Sequence, residues 1–185
     1  MFLDRILFPV TALGPGNRLV LWVAGCSRHC KGCANPELWQ QHPYQKISPS
    51  RLSNYVYSLK EQSIEGITIS GGEPFDQAGE LAEFLELLPG EDTRDVLVFT
   101  GYKIEELRND PRYQPFLKKI DVLIDGAYIE ELNDNEAPLR GSVNQRIHYL
   151  NPSVKEKYEA YMEAGRQVQN FVYDYKTVSV GIHNR

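Results

Sequence analysis

The sequence lacks features that would direct it to a membrane or to nucleic acid. No apolar run approaches the roughly 20 residues that cross a bilayer, and residues 1–9 carry charge within their apolar stretch and no small-residue cleavage site. The formal net charge is -5 and the basic residues are scattered, so no basic patch is available for a polynucleotide. We therefore expect a cytoplasmic protein that binds neither membrane nor nucleic acid.

Cysteine is scarce, and its three copies, Cys26, Cys30 and Cys33, lie in one short loop. An odd number of closely spaced cysteines in a cytosolic chain favours metal binding over a disulfide framework. Thiolate is a soft ligand that selects zinc, copper(I) or an iron-sulfur cluster. Structural zinc needs four protein ligands, and His29 or His42 could supply the fourth. A four-iron cluster on three thiolates instead keeps one iron open to a small molecule, and the loop alone leaves both alternatives open.

Length and composition predict one globular domain spanning residues 1–185, since 42% of the residues are hydrophobic and 24% are charged. Strand patterns alternate with helical ones, a sequence order that implies a mostly parallel sheet with helices packed outside it. About six strands are too few for a closed eight-stranded barrel. The predicted fold class is therefore α/β, a single-domain open or partial (βα)6-type barrel.

The individual elements are predicted from apolar patterns and from capping residues. Ser48 and Pro49 begin the first helix, and Asp76 caps the second, which Pro89 and Gly90 end. A further helical pattern occupies 113–120, and a last helix begins near Ser153. Strands are predicted at 20–23, 66–70, 96–99, 122–124, 147–150, 168–173 and 178–181, the last two forming a hairpin.

The predicted strand 66–70 runs directly into Gly71-Gly72-Glu73-Pro74. Ligand sites in parallel α/β folds lie at the carboxyl ends of the strands, and the cysteine loop also follows a strand. We therefore expect the two loops to face one cavity. Glycines at 71 and 72 let the backbone approach a ligand, and Glu73 adds an acceptor. The alternative is a tight turn with an exposed glutamate.

Together the two motifs resemble those of the radical S-adenosylmethionine superfamily, in which a C-x3-C-x2-C loop holds a 4Fe-4S cluster and a GGEP-type turn binds the methionine part of the cofactor. Within it the chain is similar to the activating enzymes of glycyl radical enzymes, most closely to those that act on anaerobic ribonucleoside-triphosphate reductase. Gly32 replaces the aromatic residue that much of the superfamily has at this position, as it often does in the reductase activators. The similarity extends over 14–16, 23–26, 33–37 with Trp39, 70–74, 121–126, 138–142 and 144–146.

The resemblance implies a role for each site residue. The cluster would be bound through three irons by Cys26, Cys30 and Cys33, and S-adenosylmethionine would chelate the fourth iron. The amino group and methionine chain would be held by Gly71, Gly72 and Glu73, and the adenine would lie near the backbone of Gly32, Cys33 and Ala34.

The implied activity is that of an oxidoreductase: one electron from the reduced cluster cleaves S-adenosylmethionine, and the resulting deoxyadenosyl radical takes a hydrogen from a glycine Cα of the partner. That partner is expected to be anaerobic ribonucleotide reductase, with flavodoxin or ferredoxin as electron donor. No general base is expected, because the cofactor supplies the chemistry.

Several alternatives remain open at this point. Thr100 and Asp125, both at strand ends, could contact cofactor or substrate, or serve as structural caps. The polar stretch Glu130–Ser142 could dock the partner, cover the cavity or be a solvated loop. The radical chemistry could act on another glycyl radical enzyme, a peptide or a small molecule. In a third interpretation, the chain is a zinc-stapled binding module without catalysis.

Overall fold

The computed structural model describes residues 1–88 and 94–183. Its main layer is a six-stranded sheet with the strands in chain order. The central strands β2 to β5 are mutually parallel, and β1 and β6 pair antiparallel at the two edges. These strands are β1 (Leu3–Val10), β2 (Arg18–Val23), β3 (Gly66–Gly71), β4 (Asp95–Phe99), β5 (Val122–Asp125) and β6 (Arg146–Tyr149).

This architecture confirms an α/β fold with a mostly parallel sheet. Within the described ranges β1 and β6 do not pair with each other, so the sheet is open rather than closed into a barrel. The finer prediction of a (βα)6-type barrel is not confirmed, because the two edge strands run against their neighbours. Strand β1 was not predicted, since Asp4, Arg5 and Pro9 interrupt its apolar pattern.

The central strands are buried on both faces, as their continuous apolar runs predict. Successive side chains of β2 alternate between two apolar groups. Leu19 and Leu21 pack among helices on one face, whereas Val20 and Trp22 face the other side. The helices are α1 (Pro49–Ser58), α2 (Ala78–Glu86), α3 (Ile104–Asn109), α4 (Gln114–Leu117) and α5 (Lys155–Met162). None of the described helices has the length and apolar character needed to cross a membrane.

The predicted start of the first helix is confirmed, and the predicted cap of the second helix is wrong. Ser48 caps α1 by accepting a hydrogen bond from the amide of Arg51 (3.2 Å), with Pro49 in the first turn. The prediction that Asp76 caps the next helix is wrong, because a short 3-10 turn intervenes and α2 starts after Gln77. The predicted helix end at 89–90 lies outside the described residues.

The C-terminal segment forms a separate antiparallel hairpin, β7 (Val168–Tyr173) and β8 (Lys176–Gly181), which confirms the prediction made from the sequence. Its apolar side chains pack on the face of the sheet opposite α1 and α2. Val180 is buried there beside Val20, Trp22 and Leu38. The hairpin therefore covers, near β2, the face of the sheet that α1 and α2 leave free.

A buried polar network joins α5 to the amino-terminal end of the sheet. Arg18 has no exposed side-chain surface, and its guanidinium donates to the hydroxyl of Thr68 (2.6 Å) and pairs with Asp95 (3.0 Å). Asp95 also accepts hydrogen bonds from Lys157 (2.8 Å) and from the hydroxyl of Tyr158. Removing one partner of such a group would leave an uncompensated buried charge.

Candidate functional site

A cavity of about 520 Å³ lies at the carboxyl ends of the parallel strands, a volume typical of small-molecule sites. Every site residue predicted from the sequence lines it, except Asp125. The lining set includes Cys26, Cys30, Gly32, Cys33, Ala34, Gly71, Gly72, Glu73 and Thr100. The cysteine loop and the Gly-Gly-Glu turn therefore face one space, as the sequence predicted.

The cysteine loop leaves β2 and is tied down at both ends by main-chain hydrogen bonds. The amide of Gly25 donates to Leu38 (2.8 Å), and the amide of Cys26 donates to Trp39 (3.2 Å). All three cysteines are free and partly exposed. The amide of Asn35 donates to the sulfur of Cys33 (3.4 Å), a contact that stabilises a thiolate and tunes a bound cluster.

The donor set around the cavity fits an iron-sulfur cluster, because three soft thiols line it together. Among the described residues, no three His, Cys, Asp or Glu side chains, the three cysteines included, are grouped so as to hold a single metal ion. The fit to a cluster therefore rests on the thiol chemistry and on the shared cavity, and not on a closed ligand cage. His29 packs against Trp39 with ring centroids 4.9 Å apart, and His42 stacks on Tyr44 at 5.3 Å. Neither of these histidines is among the residues that line the cavity. The fourth zinc ligand considered from the sequence thus receives no support from either side chain.

Burial raises the pKa of the Cys26 thiol, an effect that hydrogen bonds from the backbone of His29 and Arg28 partly oppose. Thiols bind metals as thiolates, so binding of a metal centre by these thiols would release protons.

The two glycines of the turn are needed because β3 ends against other backbone. A Cβ at Gly71, where φ is 108°, would lie 2.5 Å from main-chain atoms of Val23, and a Cβ at Gly72 would lie 2.1 Å from the carbonyl oxygen of Gly25. In the same place the amides of Gly72 and Glu73 donate to Val23 and Gly25, each at 2.8 Å. The glycines therefore bring the cysteine loop directly beside the turn, a role that the sequence did not indicate.

Glu73 is buried, with 1% of its surface exposed, so the alternative of an exposed glutamate is wrong. One carboxylate oxygen accepts from the hydroxyl of Thr100 (2.7 Å) and the amide of Phe75 (3.0 Å), and the other accepts from the amide of Gly101 (2.8 Å). Burial raises the pKa of Glu73 to about 7, although these hydrogen bonds favour the ionised form. A cationic ligand group in the cavity would stabilise this carboxylate.

The loop is also fastened to the segments that follow β3 and β4 by contacts that sequence reasoning missed. The Asp76 carboxylate accepts from the amide (2.7 Å) and the hydroxyl (2.8 Å) of Ser27. The guanidinium of Arg28 donates to the carbonyl of Gly101 (2.9 Å) and lies 4.5 Å from the ring centre of Tyr102. No local pattern reveals these pairs, because their members are far apart in the chain.

Asp125 stands apart from the other predicted site residues. Its fully buried carboxylate accepts from the amide of Ile104 (2.7 Å) and from Nε of Arg146 (3.0 Å). These contacts join β5 to α3 and β6, so Asp125 has the structural role that was its alternative to contact with cofactor or substrate. Thr100, in contrast, touches Glu73 and lines the cavity.

Two further segments complete the cavity wall. Tyr128, Asn133 and Gly141 line it from the polar loop 126–145, and residues 178–183 line it from the end of the hairpin and the two residues after it. Lys31 of the cysteine loop pairs with Glu131 of the polar loop at 3.1 Å. The polar loop is therefore part of the cavity wall and in contact with the cysteine loop.

Comparisons with known proteins agree with this geometry. A family model described as a 4Fe-4S single cluster domain matches residues 12–148, which include both the cysteine loop and the Gly-Gly-Glu turn. Because this match covers more than half of the chain, the chain belongs to the family of 4Fe-4S single cluster domains.

Curated relatives carry the name anaerobic ribonucleoside-triphosphate reductase-activating protein. The Vibrio cholerae relative is 36% identical over 148 residues, covering 76% of this chain and 94% of its own. The Haemophilus influenzae relative is 37% identical over 140 residues (73% and 89%), and that of phage T4 is 32% identical over 149 residues (78% and 91%). The chain belongs to this family of reductase-activating proteins.

Proposed function

We propose that this chain is a cytoplasmic radical S-adenosylmethionine oxidoreductase that activates anaerobic ribonucleoside-triphosphate reductase by generating a glycyl radical on it. One observation carries the proposal: three free thiols and the Gly-Gly-Glu turn line the same cavity. The names of its relatives support the choice of partner. A flavodoxin or a ferredoxin is the proposed electron donor.

In this proposal Cys26, Cys30 and Cys33 hold a 4Fe-4S cluster and leave one iron to S-adenosylmethionine. When bound and reduced, the cluster would supply the electron for reductive cleavage of S-adenosylmethionine, the chemistry that generates the radical on the partner glycine. The amide of Asn35 beside Cys33 would stabilise the thiolate charge. The contacts of Asp76 and Arg28 hold the loop in place while the cofactor binds.

Glu73 is the proposed partner of the cofactor's amino group, because it is the buried carboxylate among the lining residues. Gly71 and Gly72 would lie along the methionine chain, and the backbone of 32–34 would lie near the adenine. The hairpin and the polar loop would shield the reacting atoms from water, which protects a radical from side reactions. Thr100 would act through Glu73, by holding its carboxylate.

The test is anaerobic reconstitution with iron and sulfide, followed by a chemical reductant and S-adenosylmethionine, with and without the reductase. We expect an iron-sulfur protein that forms methionine and deoxyadenosine. Purification with stoichiometric zinc and without iron or sulfide would contradict the proposal and favour a zinc-stapled module. Stimulation by a metabolite or an unrelated peptide, and not by the reductase, would shift the substrate to another class.

A further inference from the structure

The edge of β8 that does not pair with β7 borders the cavity. In the part of the chain that the structure describes, β8 pairs with β7 alone, and no main-chain hydrogen bond joins it to the six-stranded sheet. Residues 178–183 line the cavity without interruption. Four of these residues, 178–181, belong to β8. Because alternate residues of a strand point to opposite faces, four consecutive residues cannot all reach the cavity from one face, so the main chain of β8 contributes to the cavity wall.

The ladder register identifies the groups on this edge. The hairpin has a two-residue turn, so the pair flanking the turn exchanges hydrogen bonds and the pairs alternate from there. Val178 and Val180 therefore direct their main-chain groups toward β7. Ser179 and Gly181 direct their N–H and C=O groups away from β7, along the cavity. These are the groups that an added strand would bind.

The edge is held in a fixed position. Val180 is buried against the main sheet, and the side chain of Gln169 in β7 accepts from the amide of Thr11 (2.8 Å). At the base of the hairpin, Arg166 donates to Asn133 (2.8 Å) and to the carbonyl of Arg140 (3.0 Å) in the polar loop. A strand fixed in this way can bind an extended peptide without first becoming ordered.

We propose that β8 binds the glycine-bearing segment of the partner by strand addition, with Ser179 and Gly181 supplying main-chain hydrogen bonds. This inference rests on the proposed function, in which the substrate atom is a glycine Cα. Glycine has no side chain, so only its main chain and its neighbours can position it. Strand addition binds the main chain directly, through backbone hydrogen bonds. The edge of β8 borders the same cavity as the three thiols.

Charge at the cavity mouth favours the same occupant. The polar loop that adjoins the hairpin through Arg166 carries four carboxylates and one basic residue, Arg140. Three of the carboxylates pair with Lys31 or Arg166, so these cations offset part of the negative charge, and the carboxylates still outnumber the cations by four to three. Glu131, Asp134 and Glu136 are exposed there. We therefore expect the entering segment to carry lysine or arginine beside its glycine. A second copy of this chain, with a net charge of -5, would match the acidic cavity mouth less well than a basic segment would.

The test measures binding of a synthetic peptide, the reductase segment that contains its radical-bearing glycine, to the full-length reconstituted protein. Two further peptides are N-methylated, one at the odd and one at the even positions around the glycine. Because a paired strand directs alternate N–H groups to its partner, methylation in one register should weaken binding about tenfold or more. Methylation in the other register should have little effect.

Hydrogen exchange locates the contact, with protection expected at the amides of Ser179 and Gly181 when the peptide is added. Ser179→Pro removes an outward N–H without breaking the ladder to β7, since proline is tolerated at a free edge, and should weaken binding about tenfold or more. Ser179→Ala, the matched control, keeps the N–H and should bind the peptide as the parent does. The methylated peptides keep the test decisive if the proline variant does not fold.

Three results with these peptides and amides would overturn the inference, besides the failure of binding given below: equal loss of affinity from both methylation registers, protection confined to other segments, or protection of β8 that rises with protein concentration without peptide. The last would assign the edge to a second copy of this chain. Failure to bind the peptide while the reductase still acquires its radical would also overturn it. Binding needs no reductant, so a failure of the proposed function shows separately, as peptide binding without any radical.

Discussion

Gly72→Ala would separate the cysteine loop from the Gly-Gly-Glu turn. The added methyl would lie 2.1 Å from the carbonyl oxygen of Gly25 and 3.0 Å from that of Leu38. Both are main-chain atoms, so no side-chain rotation relieves the overlap. The hydrogen bonds from Glu73 to Gly25 and from Gly25 to Leu38, each 2.8 Å, would lengthen or break. Overpacking together with one or two lost hydrogen bonds should lower the free energy of unfolding by about 2–4 kcal/mol.

The matched control is Gly79→Ala in α2, where an added Cβ has no atom within 4 Å. Alanine favours a helix interior over glycine by roughly 0.5–1 kcal/mol and by less in the first turn, where Gly79 lies, so this variant should be at least as stable as the parent. Urea unfolding of the metal-free proteins under anaerobic reducing conditions gives both values. A Gly72→Ala protein as stable as the parent would refute the argument that β3 and the cysteine loop are in closest contact at this glycine.

The remaining predictions concern two buried carboxylates and one thiol. Burial alone would raise the pKa of Asp95, but Arg18 and the hydrogen-bond partners of Asp95 lower it below its ordinary value. Its stabilising contribution is therefore present above about pH 4 and lost as the pH falls through the lower folded-state pKa. Asp95→Asn should cost about 3 kcal/mol at neutral pH and flatten the acid limb of a pH series of urea titrations; an unchanged limb would contradict this. Glu73→Gln should weaken S-adenosylmethionine binding about tenfold with the iron content unchanged, and equal affinity in equilibrium binding would contradict its assignment. Cys30→Ala should lose iron and sulfide while its far-UV circular dichroism stays that of the metal-free parent, so a full iron content would refute its role as a ligand.

The parts of the site that could be predicted are those encoded by adjacent residues. The three cysteines and the Gly-Gly-Glu turn are short motifs at the ends of apolar strands, and parallel strands place such ends at one edge of a sheet. This was sufficient to predict one shared cavity. It did not show that Gly72 is required by contact with Gly25, because that contact depends on how closely β2 and β3 approach.

The rest depends on contacts between distant segments. Asp76 is a residue type that commonly caps helices, and it precedes a helical pattern. Its carboxylate instead accepts hydrogen bonds from Ser27, 49 positions earlier in the chain. Strand β1 is made by its pairing with β2, in spite of Asp4, Arg5 and Pro9. The hairpin was predicted as a local element, and its place over the cavity follows from the packing of Val180 against residues near the start of the chain. Local patterns carry no information on such packing.

The central claim is that this chain places a radical on a glycine of anaerobic ribonucleoside-triphosphate reductase. The most direct measurement is electron paramagnetic resonance of the reductase after anaerobic incubation with the reconstituted, reduced protein and S-adenosylmethionine. We predict a glycyl radical signal that requires all three components and is absent with the Cys30→Ala protein. Cleavage of S-adenosylmethionine with a reductase that stays free of radical would contradict the claim.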